Sequence, residues 1–299
     1  LRILMIPSSS ANYQEDVVHE GLDDLLGPEG VFYYPYKPHT LFSSNLYGDS
    51  PARPCSAPAL PLEEIVRRSQ EVGAVIVGSV RDSVDAWRPI QNHFRDRPVA
   101  WLHGEDAHDH PWPGRDVLYT HRFQRELLPG TPDILPLPLG IPAQAMHPCD
   151  RPKDIDVSFV ARSNHPWRKE IAARLAREGF FVRLDAPVSR TAYCDILNRS
   201  RIAVSVRGSG YDTMRYWEIP YHGALLLSER LPIVLPDNFV DGESAVFFDS
   251  PAEMVDLSRG LLGDPARLER IAAAGRDLVR ARHTAVHRAR YVLEKMGFT

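Results

Sequence analysis

Arg215 and Glu218 stand three residues apart in the run Arg215-Tyr216-Trp217-Glu218-Ile219-Pro220-Tyr221-His222-Gly223. Residues three apart share a helix face, so the pair can address one ligand, one as a cation and the other as a hydrogen-bond acceptor. The alternative is an ion pair between the two, or a structural cap. Upstream lies Arg207-Gly208-Ser209-Gly210-Tyr211-Asp212, a small-residue loop after an apolar strand, and downstream the apolar run Ala224-Leu225-Leu226-Leu227. Strand, glycine loop, helix and strand in that order build a site for a phosphorylated ligand in an open α/β sheet. A G-x-G alone is common in turns; here its position before Glu218 gives it weight.

A second group lies in the first half. His103-Gly104-Glu105-Asp106-Ala107-His108-Asp109-His110 follows the expected strand Val99 to Leu102, at the end where open sheets place ligands. Its histidines and carboxylates fit no standard metal-ligand spacing, so no metal is expected. His103, Glu105 and Asp106 are candidates for proton transfer or acceptor binding; the plain alternative is a polar loop.

The elements that must position these groups alternate. Expected strands are 3–6, 74–77, 99–102, 116–119, 155–160, 180–184, 202–206 and 224–227. Expected helices are 15–26, 63–71, 82–94, 122–128, 167–177, 190–198, the segment around Arg215, one opening at Asp264-Pro265, and 284–296. Residues 35–61, rich in Pro, Ser and Tyr, read as a long loop. The proline-rich stretch from Leu135 to Pro142 is excluded from helix and central strand, because its prolines lack N–H donors, and it reads as an interdomain linker.

The whole chain sets bounds. At 299 residues it accommodates two domains. Net charge is −4 with no basic block, which argues against nucleic acid as a partner. Cys55, Cys149 and Cys194 show no paired spacing, favouring a reducing compartment. No apolar run approaches ~18 residues, and Leu1 to Ile6 reads as a first strand rather than a signal peptide.

The second half resembles the C-terminal domain of GT-B glycosyltransferases, in particular the "glycosyl transferases group 1" domain of spore-maturation-like and capsule-type enzymes. Arg215…Glu218…Gly223 resembles that family's R-x-x-E-x-x-x-x-G helix. Asp241-Gly242-Glu243-Ser244-Ala245-Val246-Phe247-Phe248 resembles its "dGe..v.f" segment, and Asp264-Pro265 to Gly275-Arg276 with Arg282-His283-Thr284 resembles its ending. The likeness implies an α/β, GT-B-like fold of two Rossmann-like domains facing a cleft. It divides into an acceptor-binding domain over 1–142, a nucleotide-sugar donor domain over 143–284, and a helix over 285–299 that crosses back.

It also implies a function: metal-independent sugar transfer, without a cofactor, from a nucleotide-sugar to a glycan or small-molecule acceptor. That fits polysaccharide biosynthesis in the cytoplasm, with peripheral membrane contact left open. The segment Phe159 to Lys169 resembles the family's "FVGR…K", so Arg162, with Arg168 or Lys169, is expected on the donor phosphates; Ala161 replaces that family's Gly. Glu218 matches the second Glu of E-x7-E, the ribose ligand. The first would fall at Gly210 and is missing, so sugar recognition passes to other groups, such as backbone N–H groups of Ser209, Gly210, Tyr211 and Asp212. Arg207 and Arg215 complete the expected donor set. Ser9, Asn12 and Arg122 are the expected acceptor-side residues. Two other readings stay open: a nucleotide-sugar epimerase, which needs no acceptor glycan, and a non-catalytic nucleotide-sugar or glycan-binding protein, which shows no turnover.

Overall fold

The computed structural model describes residues 1–9, 12–27, 29–35, 60–107, 114 and 116–299. Most of the expected 35–61 loop, with Cys55, lies outside the described residues. So do Ser10, Ala11, His108, Asp109 and His110.

Among the described residues the chain forms two parallel sheets. The first contains β1 (Ile3–Ile6), β2 (Val31–Tyr33), β3 (Ala74–Gly78), β4 (Val99–His103), β5 (His121–Gln124) and β6 (Leu135–Pro136), in the order β2-β1-β3-β4-β5-β6. The second contains β7 (Ile155–Ala161), β8 (Phe181–Leu184), β9 (Ser200–Ser205), β10 (Leu225–Glu229) and β11 (Val246–Phe248), in the order β11-β10-β9-β7-β8. All recorded pairings are parallel. Parallel strands are covered by helices on both faces and therefore read as continuous apolar runs rather than alternating ones. Ile3-Leu4-Met5-Ile6 and Ala74-Val75-Ile76-Val77 are such runs, each residue being buried.

Around the first sheet pack α1 (Tyr13–Leu26), α2 (Leu62–Arg67) and α3 (Arg81–Trp87). The second carries α4 (Pro166–Arg177), α5 (Arg190–Arg199), α6 (Met214–Tyr221), α7 (Pro251–Leu262) and α8 (Pro265–Arg282). The last helix, α9 (Ala285–Lys295), returns to the first sheet: Ala289, Val292 and Leu293 share a core with Ile3, Val18 and Leu22. Gly21 allows the close approach, since a Cβ there would meet the Ala285 carbonyl and the Ala289 methyl. Where the chain crosses twice, Ile141 N donates to His283 O at 2.8 Å and Ala285 N to Ile141 O at 2.7 Å. Arg288, buried, donates from Nε to Pro138 O and from Nη2 to Leu139 O, both at 2.8 Å. No helix among the described residues is long and apolar enough to cross a membrane.

Local expectations are corrected or refined at several points. Residues 116–119 form a turn rather than a strand. The segment expected as a helix over 122–128 is β5 followed by a bend at Arg125 and Glu126; Phe123 and Leu127, four apart, mimic a helical face, but parallel pairing with β4 fixes Phe123 inside the sheet. Leu135-Pro136 pairs with β5 as an edge strand, the one sheet position that tolerates the missing donor of a proline. The expected helices 63–71 and 82–94 each break after α2 and α3 into a short 3-10 turn.

Candidate functional site

In the second sheet the strand order reverses between β7 and β9, so the loops leaving their C-terminal ends diverge and open a crevice. A cleft of about 640 Å³ occupies this point. Its walls are the segment after β7 (Arg162, Asn164), the segment after β8 (Ala186 to Ser189), the glycine loop after β9 (Gly208 to Gly210) and the start of α6. Tyr13, Asp106 and Arg125 face it from the first sheet.

Two guanidinium groups dominate the cleft. Arg168, in the first turn of α4, is buried and donates to Arg162 O at 3.2 Å, Asn164 Oδ1 at 2.7 Å and Val206 O at 3.0 Å. Burial, then the nearby charge of Arg215, lowers its pKa to about 10, so it remains a cation at neutral pH. Arg215 has buried Nε and Nη1 atoms without a hydrogen-bond partner among the described residues. Its guanidinium lies 6.0 Å from the centre of the Phe159 ring. Neither arginine forms an ion pair with a carboxylate among the described residues. At the N-terminus of α6, Thr213 makes no side-chain cap, and free first-turn N–H groups favour an anion. Arg168, Arg215 and the start of α6 give this side of the cleft positive polarity, while Asp106 and Glu218 line it elsewhere.

The Arg215–Glu218 ion pair does not form. Glu218, 5% exposed, instead accepts from Arg190 Nη1 at 3.1 Å and Tyr193 Oη at 3.0 Å. Burial, followed by the charge of Glu218, pushes the Tyr193 hydroxyl well above its ordinary pKa, so it stays a donor. Arg190 and Tyr193 share a face of α5, and sequence reading missed both. Their three-residue spacing on a helix already expected there was the available signal. Glu218 still reaches the cleft wall.

The glycine loop is held by carboxylates. Glu126, just past β5, accepts from Tyr211 N at 3.0 Å and Asp212 N at 2.9 Å. Arg125 pairs with Asp106. Asp212, buried, accepts from Leu139 N at 2.6 Å and from Trp217 Nε1 at 2.8 Å, tying the linker to α6. Burial raises the Asp212 pKa to about 6, with Arg125 opposing and Glu126 adding to the rise. An unfolded aspartate releases its proton near about 3.9. Between those values the folded chain binds the extra proton, so this group's contribution to stability declines as pH rises and levels off above about 6. Relative to Asp212→Asn, the unmodified protein is expected to lose up to about 2 kcal/mol between about pH 4 and about pH 6.5. Urea unfolding at each pH checks this; parallel stability profiles for the two proteins would refute it.

Of the residues expected from sequence, the cleft gathers Asp106, Arg162, Arg168, Ser209, Gly210, Asp212, Arg215 and Glu218. Others lie elsewhere. Arg207 is held by Glu229, Nε to Oε2 at 2.7 Å, and covers the Tyr211 ring at 4.4 Å. Lys169 projects to solvent from α4. His103 is buried at the end of β4, and neither it nor Glu105 reaches the cleft wall. Asn12 caps α1, its Oδ1 accepting from Gln14 N and Glu15 N, while Ser9 N donates to Asp82. Arg122 sits at the start of β5 and lines a separate hollow with Tyr119, His121 and Asp133. Sequence reading missed Tyr13 and Asn164, while Arg125, from the basic segment His121 to Glu126 that could face either the cleft or solvent, lines the cleft.

The family model described as "Glycosyl transferase-like" matches residues 144–294. Among curated protein sequences, none matches the chain. Among solved structures, the chain is similar to HepE of Anabaena in complex with UDP-glucose, at 9% identity and a TM-score of 0.60 over 98% of each chain. It is also similar to sucrose-phosphate synthase from Thermosynechococcus elongatus, at 10% identity and a TM-score of 0.58, covering 99% of this chain and 98% of that one. A third similarity is to an α-glucosyltransferase in complex with UDP-glucose and DNA containing an abasic site, at 10% identity and a TM-score of 0.56 over 98% of each chain. At these identities the three structures show a shared fold.

Proposed function

The chain belongs to the glycosyl transferase-like family and has the GT-B architecture, and from that premise we propose that it moves a sugar from a nucleoside diphosphate donor to a hydroxyl acceptor without a metal. The observation that carries this reading is the convergence of Arg168 and Arg215, neither matched by a carboxylate among the described residues, beside the N-terminus of α6 and Glu218. A diphosphate leaving group gains negative charge as the sugar departs, and prepositioned cations and N–H groups stabilise that charge without reorganising. Glu218, held by Arg190 and Tyr193, retains lone pairs for ribose hydroxyls. Ala186, Pro187 and Val188 supply an apolar wall for the base. In this reading residues 143–284 bind the donor and residues 1–142 the acceptor.

On the acceptor side the proposal narrows to Asp106. Of the three candidate bases it alone lines the cleft, and its side chain is half exposed. Its carboxylate pairs with the Arg125 guanidinium, which aims it at the cleft where a hydroxyl proton would be accepted. The acceptor class follows from whatever presents that hydroxyl. Because one structural neighbour is described with DNA bound, a net charge of −4 does not confine the acceptor to glycans and small molecules.

Thermal melting with UDP, GDP, dTDP, CDP and ADP and their sugars tests the donor site, since a ligand bound only to the folded state raises the melting temperature. One nucleotide is expected to stabilise the unmodified protein. Glu218→Gln, which keeps an acceptor for Arg190, is expected to weaken that binding by about 1–3 kcal/mol, and Arg162→Ala to weaken it as well. Nucleotide release that depends on an added acceptor separates transfer from epimerisation. No shift with any nucleotide would overturn the proposal.

A further inference from the structure

The glycine loop of the second half is held in part from the first half of the chain. Glu126 is fully buried where the two halves meet. Its Oε2 accepts from Tyr211 N and its Oε1 from Asp212 N, the last residues before the α6 cap Thr213. Both carboxylate oxygens therefore hold consecutive peptide groups across the junction. A charged acceptor makes shorter and stronger bonds to N–H groups than a neutral one, and without it two buried donors would lose their partner.

Gly210 shows how close the contact is. A Cβ there would stand 2.5 Å from Glu126 Oε1 and 2.8 Å from Asp106 Oδ1. The first half thus occupies the space that any side chain at position 210 would need. Arg125 braces both acids, bonded to Asp106 and with Nε 3.4 Å from Glu126 Oε1. One step along the chain, Asp212 fixes the linker and Trp217 of α6. The direction of α6, and with it Arg215 and Glu218, is set from this point.

We propose that Glu126 is a positioning residue for the donor: a first-half carboxylate that holds the 210–213 loop, so that the nucleotide site is complete only when the two halves are docked. This rests on reading the cleft as the donor site. Glu126 touches no substrate in this scheme and acts through the loop.

The test is calorimetric titration of UDP, GDP, dTDP, CDP and ADP into the full chain, with donor and acceptor kinetics alongside. Glu126→Gln replaces one acceptor oxygen by an amide that faces an N–H. It is expected to raise the nucleotide Kd and the donor KM by ten- to a hundredfold, with the acceptor KM within about threefold of the unmodified value. Glu126→Asp retains the charge and is expected to recover at least a tenth of the lost affinity. Gly210→Ala probes the same contact from the other side, and its loss of affinity is expected to be relieved when combined with Glu126→Asp, whose shorter side chain makes room. A Glu126→Gln protein that binds nucleotide normally, or melting-temperature losses with unchanged Kd in every folded variant, would overturn the inference alone. An unmodified protein that binds none of the five nucleotides would overturn the donor site and this inference together. If Glu126→Gln does not fold, the Gly210→Ala pair decides: no relief in the double variant refutes the coupling.

Discussion

Arg215→Ala is expected to lower kcat/KM for the donor by about 10²–10³-fold, the loss seen when one preorganised group is removed from a developing anion, while leaving the melting temperature of the free protein nearly unchanged. Both halves of that expectation follow from its surroundings. Among the described residues Arg215 has no carboxylate partner and two unpartnered nitrogens, so its removal breaks no ion pair there. It lies near Arg168 and contributes to that residue's lowered pKa, so deleting it relieves a repulsion between like charges. The charge matters only once an anion is bound, which places the effect on donor binding and on the transition state. Steady-state kinetics with melting curves, with and without nucleotide, check this. Activity within about threefold of the unmodified enzyme would remove Arg215 from the donor site.

Arg190→Ala carries the largest expected effect on stability. The Arg190 side chain is 1% exposed and that of Glu218 7%. Removing one member of a buried pair leaves the other desolvated and uncompensated, a loss of about 3–5 kcal/mol. Tyr193 remains as a single donor and cannot replace the charge. Arg190→Met combined with Glu218→Gln removes both charges while roughly keeping volume, and is expected to recover most of the stability but little nucleotide affinity. Denaturant unfolding of the singles and the double gives the comparison. A loss below about 1 kcal/mol for Arg190→Ala would show that Glu218 does not depend on it. The contrast between the two arginines would separate a residue that serves the ligand from one that serves the fold.

These two arginines also mark how far sequence reading reached. Arg215 and Glu218 were legible as residues of one cleft because helix spacing is local: three residues apart means the same face. The partner of Glu218 was not legible. Arg190 lies 28 positions away on another helix, and the same spacing that exposed the pair suggested, as an alternative, that they bind each other. The loop after β4 offered His103, Glu105 and Asp106 as equals, because composition cannot say which side chain turns toward the cleft. The structure buries His103 at the strand end, while Asp106, paired with Arg125, lines the cleft.

By itself the sequence determined the alternation of apolar strands and helices, hence parallel sheets covered on both faces, while the strand order that opens a crevice between β7 and β9 came with the tertiary pairing. It also carried the family, through motifs that lie within continuous segments. Tertiary structure decided what depends on approach between distant segments: α9 against Gly21, Asp212 on the linker, and Glu126 on the glycine loop, 85 and 86 residues from the N–H groups it accepts. Periodicity and turn chemistry act over one or two helical turns, so they fix elements and their faces. The partner of a buried charge is chosen by desolvation, which acts on whatever the fold brings within hydrogen-bond reach.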